Sequence, residues 1–195
     1  MTNFLTAQKT VKKSFVNTNI SAIQIDVSKC FELNIENSDT NVMIVSATID
    51  GEYRKDLLLN VKEEGTTLFI GADFQPNFKN PNDKLSAHKV ISIALDIKLP
   101  EGKNVNIYGT HCNVSIQGVY EKVKVTLNDG STKLCNVSGR AEVSAQSGNI
   151  YVKTHKANIM SNSKYGKVTG DEILSGNSTY ICSTITGNIF LNRIE

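Results

Sequence analysis

Tryptophan is absent from these 195 residues, and proline and histidine each occur only three times. The four cysteines, Cys30, Cys112, Cys135 and Cys182, form no CxxC pair, which leaves zinc-ribbon and thioredoxin chemistry without support. No stretch approaches the run of about 18 apolar residues that a helical membrane span needs. Neither sign of charge prevails: 21 Lys and Arg stand against 19 Asp and Glu, a formal charge of +2. Residues 1–100 carry 11 positive and 12 negative side chains, and residues 101–195 carry 10 and 7. Binders of nucleic acid or of membrane surfaces concentrate Lys and Arg to displace counterions, so neither partner is expected. A Gly-x-Ser-x-Gly nucleophile elbow is missing. No glycine-rich stretch has the strand-to-helix setting of a phosphate loop.

What is present points one way. Val and Ile total 35 against 22 for Leu and Ala, and Asn, Ser and Thr total 54. β-branched residues pack well on pleated surfaces, whereas the small polar residues favour turns. The composition is that of an all-β chain and excludes a helical bundle. A chain of this length buries roughly 70% of its unfolded surface, so its core needs no covalent staples.

Residues 1–11 read as a flexible N-terminus, with Leu5-Thr6-Ala7-Gln8 resembling the small-residue tail of an export signal. An ordinary frayed terminus is the alternative. From residue 12 to residue 100 the pattern is alternation broken by short turns. Ala22, Ile23, Ile25 and Val27 form one run, and Phe31, Leu33 and Ile35 the next, at period two. Residues 42–49 are nearly continuously apolar, as in a strand buried on both faces. Lys62-Glu63-Glu64-Gly65 reads as a hairpin turn with Gly65 at positive φ. Residues 75–87 hold two prolines and four Asn or Asp, a surface loop where a protease is expected to cut first. Alternation returns at 90–97, and Pro100-Glu101-Gly102 closes the segment.

Beyond that turn, apolar doublets and triplets recur about every nine residues: Val105/Ile107, Val114/Ile116, Val123/Val125/Leu127, Leu134/Val137, Ala141/Val143/Ala145, Ile150/Val152, Ala157/Ile159, Val168, Ser178/Tyr180 and Ile189/Leu191. Two such strands make a repeat of roughly 18–20 residues. Two phrases also recur. Cys112-Asn113-Val114-Ser115 returns as Cys135-Asn136-Val137-Ser138. Ser147-Gly148-Asn149-Ile150 returns as Thr186-Gly187-Asn188-Ile189, 39 residues later and about two repeats on. A short strand with one apolar face cannot bury that face alone, but stacking on the next copy completes an interior. Lys122, Lys124 and Thr126 therefore face out around Val123, Val125 and Leu127, and Arg140, Glu142 and Ser144 do so around Ala141, Val143 and Ala145. A sandwich of hairpins has similar turn spacing, but its strands run longer and it needs no repeated phrase.

The stretch IALDIKLPEGKNVNIYGTHCNVSIQG at 93–118, followed by the Gly-Asn-Ile phrases at 148–150 and 187–189, resembles the "putative adhesin" family. These are exported bacterial domains of unknown function, related to the head (GIN) domains of surface adhesins. The resemblance covers roughly residues 20–192. It implies a right-handed β-helix-like solenoid and an exported or cell-surface location. It carries over no catalytic residue. Cys112 and Cys135 depart from the pattern by standing where glycine is usual.

The remaining chemistry-bearing residues are sparse. The even cysteine count permits disulfides in three pairings, with Cys112 and Cys135 one layer apart, while buried free thiols suit a chain that needs no staples. Of His88, His111 and His155, only His111 neighbours a cysteine, and adjacent strand residues point to opposite faces. Asp171-Glu172 is a lone acidic pair in a turn. Tyr151, Phe190 and Tyr120 are candidates for an outward aromatic stripe, or for covers over neighbouring layers. Asn113, Asn136, Asn149 and Asn188 are placed to stack as a structural ladder at the corners. No catalytic, cofactor-binding or metal-ligating residue is assigned, and no cofactor is expected.

The expectation is an all-β protein in which an N-terminal β-rich segment, residues 12–100, caps β-solenoid repeats over residues 101–195. Its expected role is a non-enzymatic, adhesin-like module contacting a surface polymer, glycan or protein. The alternatives are a scaffold that self-associates through its open solenoid ends, with residues 188–192 as the exposed edge, and a polysaccharide-active β-helix enzyme.

Overall fold

The structure, a computed structural model, describes residues 9–16, 19–51, 55–75 and 91–195, with no helix among them. Thirteen strands follow in order: β1 Lys9–Phe15, β2 Ala22–Asp26, β3 Glu32–Asn37, β4 Met43–Gly51, β5 Leu57–Glu64, β6 Thr67–Phe74, β7 Ile91–Leu99, β8 Lys103–Ala145, β9 Asn149–Thr154, β10 Lys156–Ser163, β11 Val168–Gly170, β12 Leu174–Thr184 and β13 Ile189–Arg193. The 43 residues of β8 would reach about 140 Å if extended. Instead the strand winds. Its residues 104–108 pair with β2 and 113–116 with β3. Residues 131–135 then pair with β9, and 140–145 with β12.

Two ladders result, one on each side of the interior. Face A runs β5–β6–β2, then the 104–108, 122–127 and 140–145 parts of β8, then β12–β10. Face B runs β1–β4–β7–β3, then the 113–116 and 131–135 parts of β8, then β9–β13–β11. Pairing is parallel wherever one coil stacks on another, and antiparallel only at β1–β4, β4–β7 and β5–β6. Strand pairing begins at Lys9, inside the stretch expected to be flexible. Residues 1–8 and 76–90 lie outside the described residues, as do the export-signal reading, most of the loop expected at 75–87, and His88.

The alternation sets which side is wet. Ile23 and Ile25, Val105 and Ile107, Val123 and Val125, and Ala141 and Val143 are all buried on face A. Leu33 and Ile35, Val114 and Ile116, Leu134, and Ile150 and Val152 answer them from face B. Arg140, Ser144 and Lys124 are exposed between them, as the sequence pattern requires. Three details differ. Residues 42–49 are buried on one face only: Met43, Val45, Ala47 and Ile49 point in, while Ile44, Ser46 and Thr48 are half-buried. Phe31 is 46% exposed, because it sits at the corner before β3 rather than in its alternation. The hairpin turn is Gly65-Thr66, with Lys62–Glu64 already in β5 and Gly65 at φ 60.

Coil order in space is not coil order in sequence. Along the chain, β9 is followed by β10 and β11, and only then by β12 and β13. In the stack β12 lies between 140–145 and β10, and β13 lies between β9 and β11. The phrases at 147–150 and 186–189 are thus in adjacent layers, not two repeats apart. The last strand is also no open edge, which corrects the expectation for residues 188–192. Among the described residues, the edges at this end of the stack are β10 and β11, each paired on one side. Composition explains the exchange. The inner coil supplies Tyr180, Cys182 and Ile189, all buried, whereas the outer one supplies Ile159, Ser161, Ser163 and a 41%-exposed Val168. The more apolar coil takes the position with neighbours on both sides.

Candidate functional site

The corners where face A passes to face B are built for stacking. Cβ atoms added at Gly130, Gly148, Gly187 and Gly166 would each lie closer than 3.0 Å to the backbone of the layer below: Cys112, Gly130, Gly148 and Gly187 respectively. Layers spaced at about 4.8 Å leave no room for a side chain there. Cys112 begins this column, in place of glycine. Cys135 does not belong to it, because Ser131, not Asn136, sits on Asn113 with its hydroxyl donating to Asn113 Oδ1 at 2.7 Å. The two cysteines therefore hold different positions in the repeat. All four cysteines are free.

Beside the glycines runs a polar ladder. Asn149 Oδ1 accepts from the Asn188 N–H at 2.8 Å, and Asn188 Oδ1 accepts from the Lys167 N–H at 2.9 Å. Thr184 and Ser163 hydroxyls donate to the carbonyls of Gly148 and Gly187. Asn113, Asn149 and Asn188 thus act within the ladder. Asn136 stands at another corner, with φ 48. These groups satisfy backbone atoms that a sharp turn leaves unpaired.

Burial pushes the thiols of Cys30, Cys112 and Cys182 up to about 12, Cys30 being raised further by the neighbouring Cys112. Their ordinary value is 9.0, so this burial favours the fold fully below about pH 9 and loses that contribution as pH rises toward 12. Cys135 is only half-buried. A thiol reagent near neutral pH is expected to label Cys135 first by mass spectrometry, and the other three only on unfolding. Equal labelling of Cys112 would mean that the first coil opens in the native state.

The outer faces differ from one another. On face B, two rows across β7, β3 and β8 line a cleft of about 290 Å³, and most of their side chains pair with one another. Asn34 donates to Asp96 at 3.1 Å, while Lys98 at 2.6 Å and Gln117 at 3.1 Å engage Glu36. Lys98 and Gln117 hold the Glu36 carboxyl below its ordinary value, as Lys29 does for Asp73 and Arg140 and Lys122 for Glu142. These lowered values stabilise the fold above about pH 4.5, and the contribution is lost as pH falls through them. All three pairs are solvent-exposed to some degree, so the effect is small and screened by salt. Melting temperature is expected to stay flat from about pH 8 to pH 5.5 and to drop below pH 4.5. Glu142→Gln should lessen the drop.

Further along face B, Tyr151 and Phe190 are opposite each other on β9 and β13 and stack at 5.0 Å and 11°. Their rings cover one another across two layers. Tyr120 takes no part, being 2% exposed with its hydroxyl on the Gln117 carbonyl at 2.8 Å. It turns inward at a corner, where strand alternation does not apply.

Face A carries a cleft. Two outward rows cross β5, β6, β2 and β8: Lys62–Phe69–Gln24–Asn106 and Asn60–Gly71–Asp26–Tyr108. Gly71 lacks a side chain in the second row, leaving a cleft of about 300 Å³ bounded by Phe69, Asp26, Asn60 and a 40%-exposed Tyr108. Nothing in the sequence reading pointed here. The available signal was a glycine in the middle of a strand, in Leu68-Phe69-Ile70-Gly71-Ala72, with no turn to account for it.

The other candidates stay apart. His111 is exposed, 3.8 Å from Asp129, on the opposite side of the strand from buried Cys112. His155 Nδ1 lies 3.1 Å from the Ile194 carbonyl oxygen. Asp171 accepts from the Arg193 N–H at 2.8 Å, and Glu172 is exposed. No group of three His, Cys, Asp or Glu is placed to hold a metal among the described residues.

Residues 88–191 match the family described as Toastrack DUF4097. The chain belongs to that family. The Toastrack match covers the coiled part and the strand leading into it. The fold is shared with a "putative cell adhesion protein" from Clostridium sporogenes, at 14% identity over 96% of this chain and 100% of that one, with a TM-score of 0.68. A "putative adhesin" from Bacteroides fragilis aligns at 14% identity over 95% and 98% of the two chains, with a TM-score of 0.43. No curated protein matches. The resemblance read from residues 93–118 and the Gly-Asn-Ile phrases thus leads to the right family, and the Toastrack coil is all-β and solenoid-like.

Proposed function

We propose that the protein is a non-enzymatic, exported or cell-surface interaction module of the adhesin type, binding a surface polymer, glycan or protein. One observation carries the reading: the coil separates inside from outside at every second residue. Ala141 and Val143 fill the interior while Arg140 and Ser144 face water, and the same holds layer after layer. Outward side chains can therefore vary without disturbing the core, which suits a broad contact surface. In this reading residues 101–195 present the faces, and the antiparallel strands within residues 12–100 close one end. The winding is taken as right-handed, the hand of about 98% of parallel strand crossovers. The name of the Clostridium sporogenes protein agrees with the reading.

The test is a binding survey of the labelled full chain on arrays of glycans, cell-wall polymers and extracellular-matrix proteins. Saturable binding to one class, with no change to the bound material, is expected. Shortening of a polysaccharide on incubation, followed by chromatography, would replace this reading with a catalytic one.

A further inference from the structure

We propose that the cleft over Gly71 is a binding site for a neutral saccharide, one sugar ring lying between Phe69 and Tyr108; this deepens, and rests on, the interaction-module reading. Gly71 itself is the first observation. Every other glycine of the chain has either a positive φ or a neighbour that an added Cβ would crowd below 3.0 Å. Gly71 has neither: its Cβ would meet only Asp26 Cβ at 3.5 Å and the Asp26 carbonyl oxygen at 3.7 Å. A glycine inside a strand weakens it and often marks where a ligand approaches closely. Here the backbone makes no demand for one, and what glycine leaves is open space.

The lining is the second observation. The amides of Gln24 and Asn60 and the hydroxyl of Tyr108 have no side-chain hydrogen-bond partner among the described residues, and Asp26 spends one oxygen on the Ser28 N–H at 2.9 Å. The face B cleft of about 290 Å³ is lined by side chains that engage one another, Asn34 with Asp96 and Glu36 with Lys98 and Gln117, Ser115 excepted. Face A thus keeps both donors and acceptors free, which hydroxyl groups require, since each hydroxyl donates and accepts. Phe69 and Tyr108 stand two strands and one row apart, about 12 Å, and offer apolar surfaces to the C–H face of a sugar. Lys62 is paired with Glu64 and Asp73 with Lys29, which leaves the Asp26 carboxylate as the unpaired charge of the lining; a polyanion is not favoured, and the carboxylate is an acceptor for sugar hydroxyls. At about 300 Å³ the cleft sits at the small end of ligand sites, enough for a ring rather than a larger molecule.

The experiment is an amide NMR titration of the full chain with cellohexaose, maltohexaose and chitohexaose, each separately. One of them is expected to shift the signals of residues 24–26, 69–73 and 106–108 saturably. Gly71→Val fills the cleft and should weaken that binding by at least about tenfold, as should Tyr108→Ala. Should Gly71→Val unfold the protein, Tyr108→Ala and Gln24→Ala, both on outward side chains, decide the matter. Shifts confined to Tyr151 and Phe190, or no shift with any of the three, overturn the proposal. Preferential binding of heparin oligosaccharides in the cleft overturns it too. Binding of the unaltered protein elsewhere on its surface would leave the broader reading standing.

Discussion

Gly187→Ala is expected to lower the unfolding free energy by about 3 kcal/mol or more, a large share of the 5–15 kcal/mol typical of a domain. The added methyl would press on the Gly148 carbonyl oxygen and carbon and on Thr184 Oγ1, all closer than 3.0 Å. Two of these atoms are backbone of the next layer and cannot rotate away. The strand ladders on either side fix the layer spacing, so relief requires coils to separate. Two controls isolate the cause. Gly65→Ala meets nothing within 4 Å but must hold φ 60, at a cost of about 1–2 kcal/mol. Gly71→Ala faces neither restriction and should change stability by no more than about 0.5 kcal/mol, in either direction. Denaturant midpoints of the three variants should rank in that order. If Gly187→Ala proves as mild as Gly71→Ala, the column of glycines is not what spaces the corners.

Val143→Asp is the second large effect, at about 3–5 kcal/mol. Val143 is 1% exposed, pairs with Cys182 across the ladder and belongs to the continuous core that runs from Ile20 to Ile189. A carboxylate there has no cation to meet, and its neighbours are methyl groups and a thiol. Val125→Asp, one layer earlier and fully buried, should cost a similar amount. The outward neighbours behave differently. Lys124 is exposed, and Lys124→Glu should move stability by under about 0.5 kcal/mol. Glu142→Lys is costlier than a bare surface position, about 1 kcal/mol, because it replaces contacts with Lys122 at 3.0 Å and Arg140 at 2.7 Å by repulsion among three cations. Circular dichroism melts in urea distinguish the pairs. Equal losses at 142 and 143 would mean that both faces are buried.

Much of this was legible in the chain itself. The inward set at 123, 125, 141 and 143 follows from period two alone, since a one-residue slip would bury Lys124 and Glu142. The glycine and asparagine corners are legible because these residues suit a sharp turn with layers so close, although Cys112 and Ser131 fill the same columns in the first coils. Coil order was not. In a parallel stack any two equivalent phrases match equally well, so Ser147-Gly148-Asn149 gives no sign of whether Lys164–Lys167 or Thr184–Asn188 comes next to it. That choice is decided by total burial, which Tyr180 and Cys182 win over Ser161 and Ser163. Tyr120 and Phe31 were misplaced for a related reason: both sit at corners, where alternation stops predicting direction. The Gly71 cleft was missed because it is formed by four strands drawn from residues 24 to 108, and no local phrase encodes it.

The interposed last coil also bears on how the molecule is assembled. In an ordinary solenoid each new coil docks on the one just made, and a growing chain can order itself from one end. Here the segment 156–170 pairs with β12 and β13, which follow it in the chain. Its ladder is complete only once residues 174–193 have slotted in beneath it. Residues 156–193 therefore order together, and a chain cut after residue 173 would leave β10 and β11 without their partner strands.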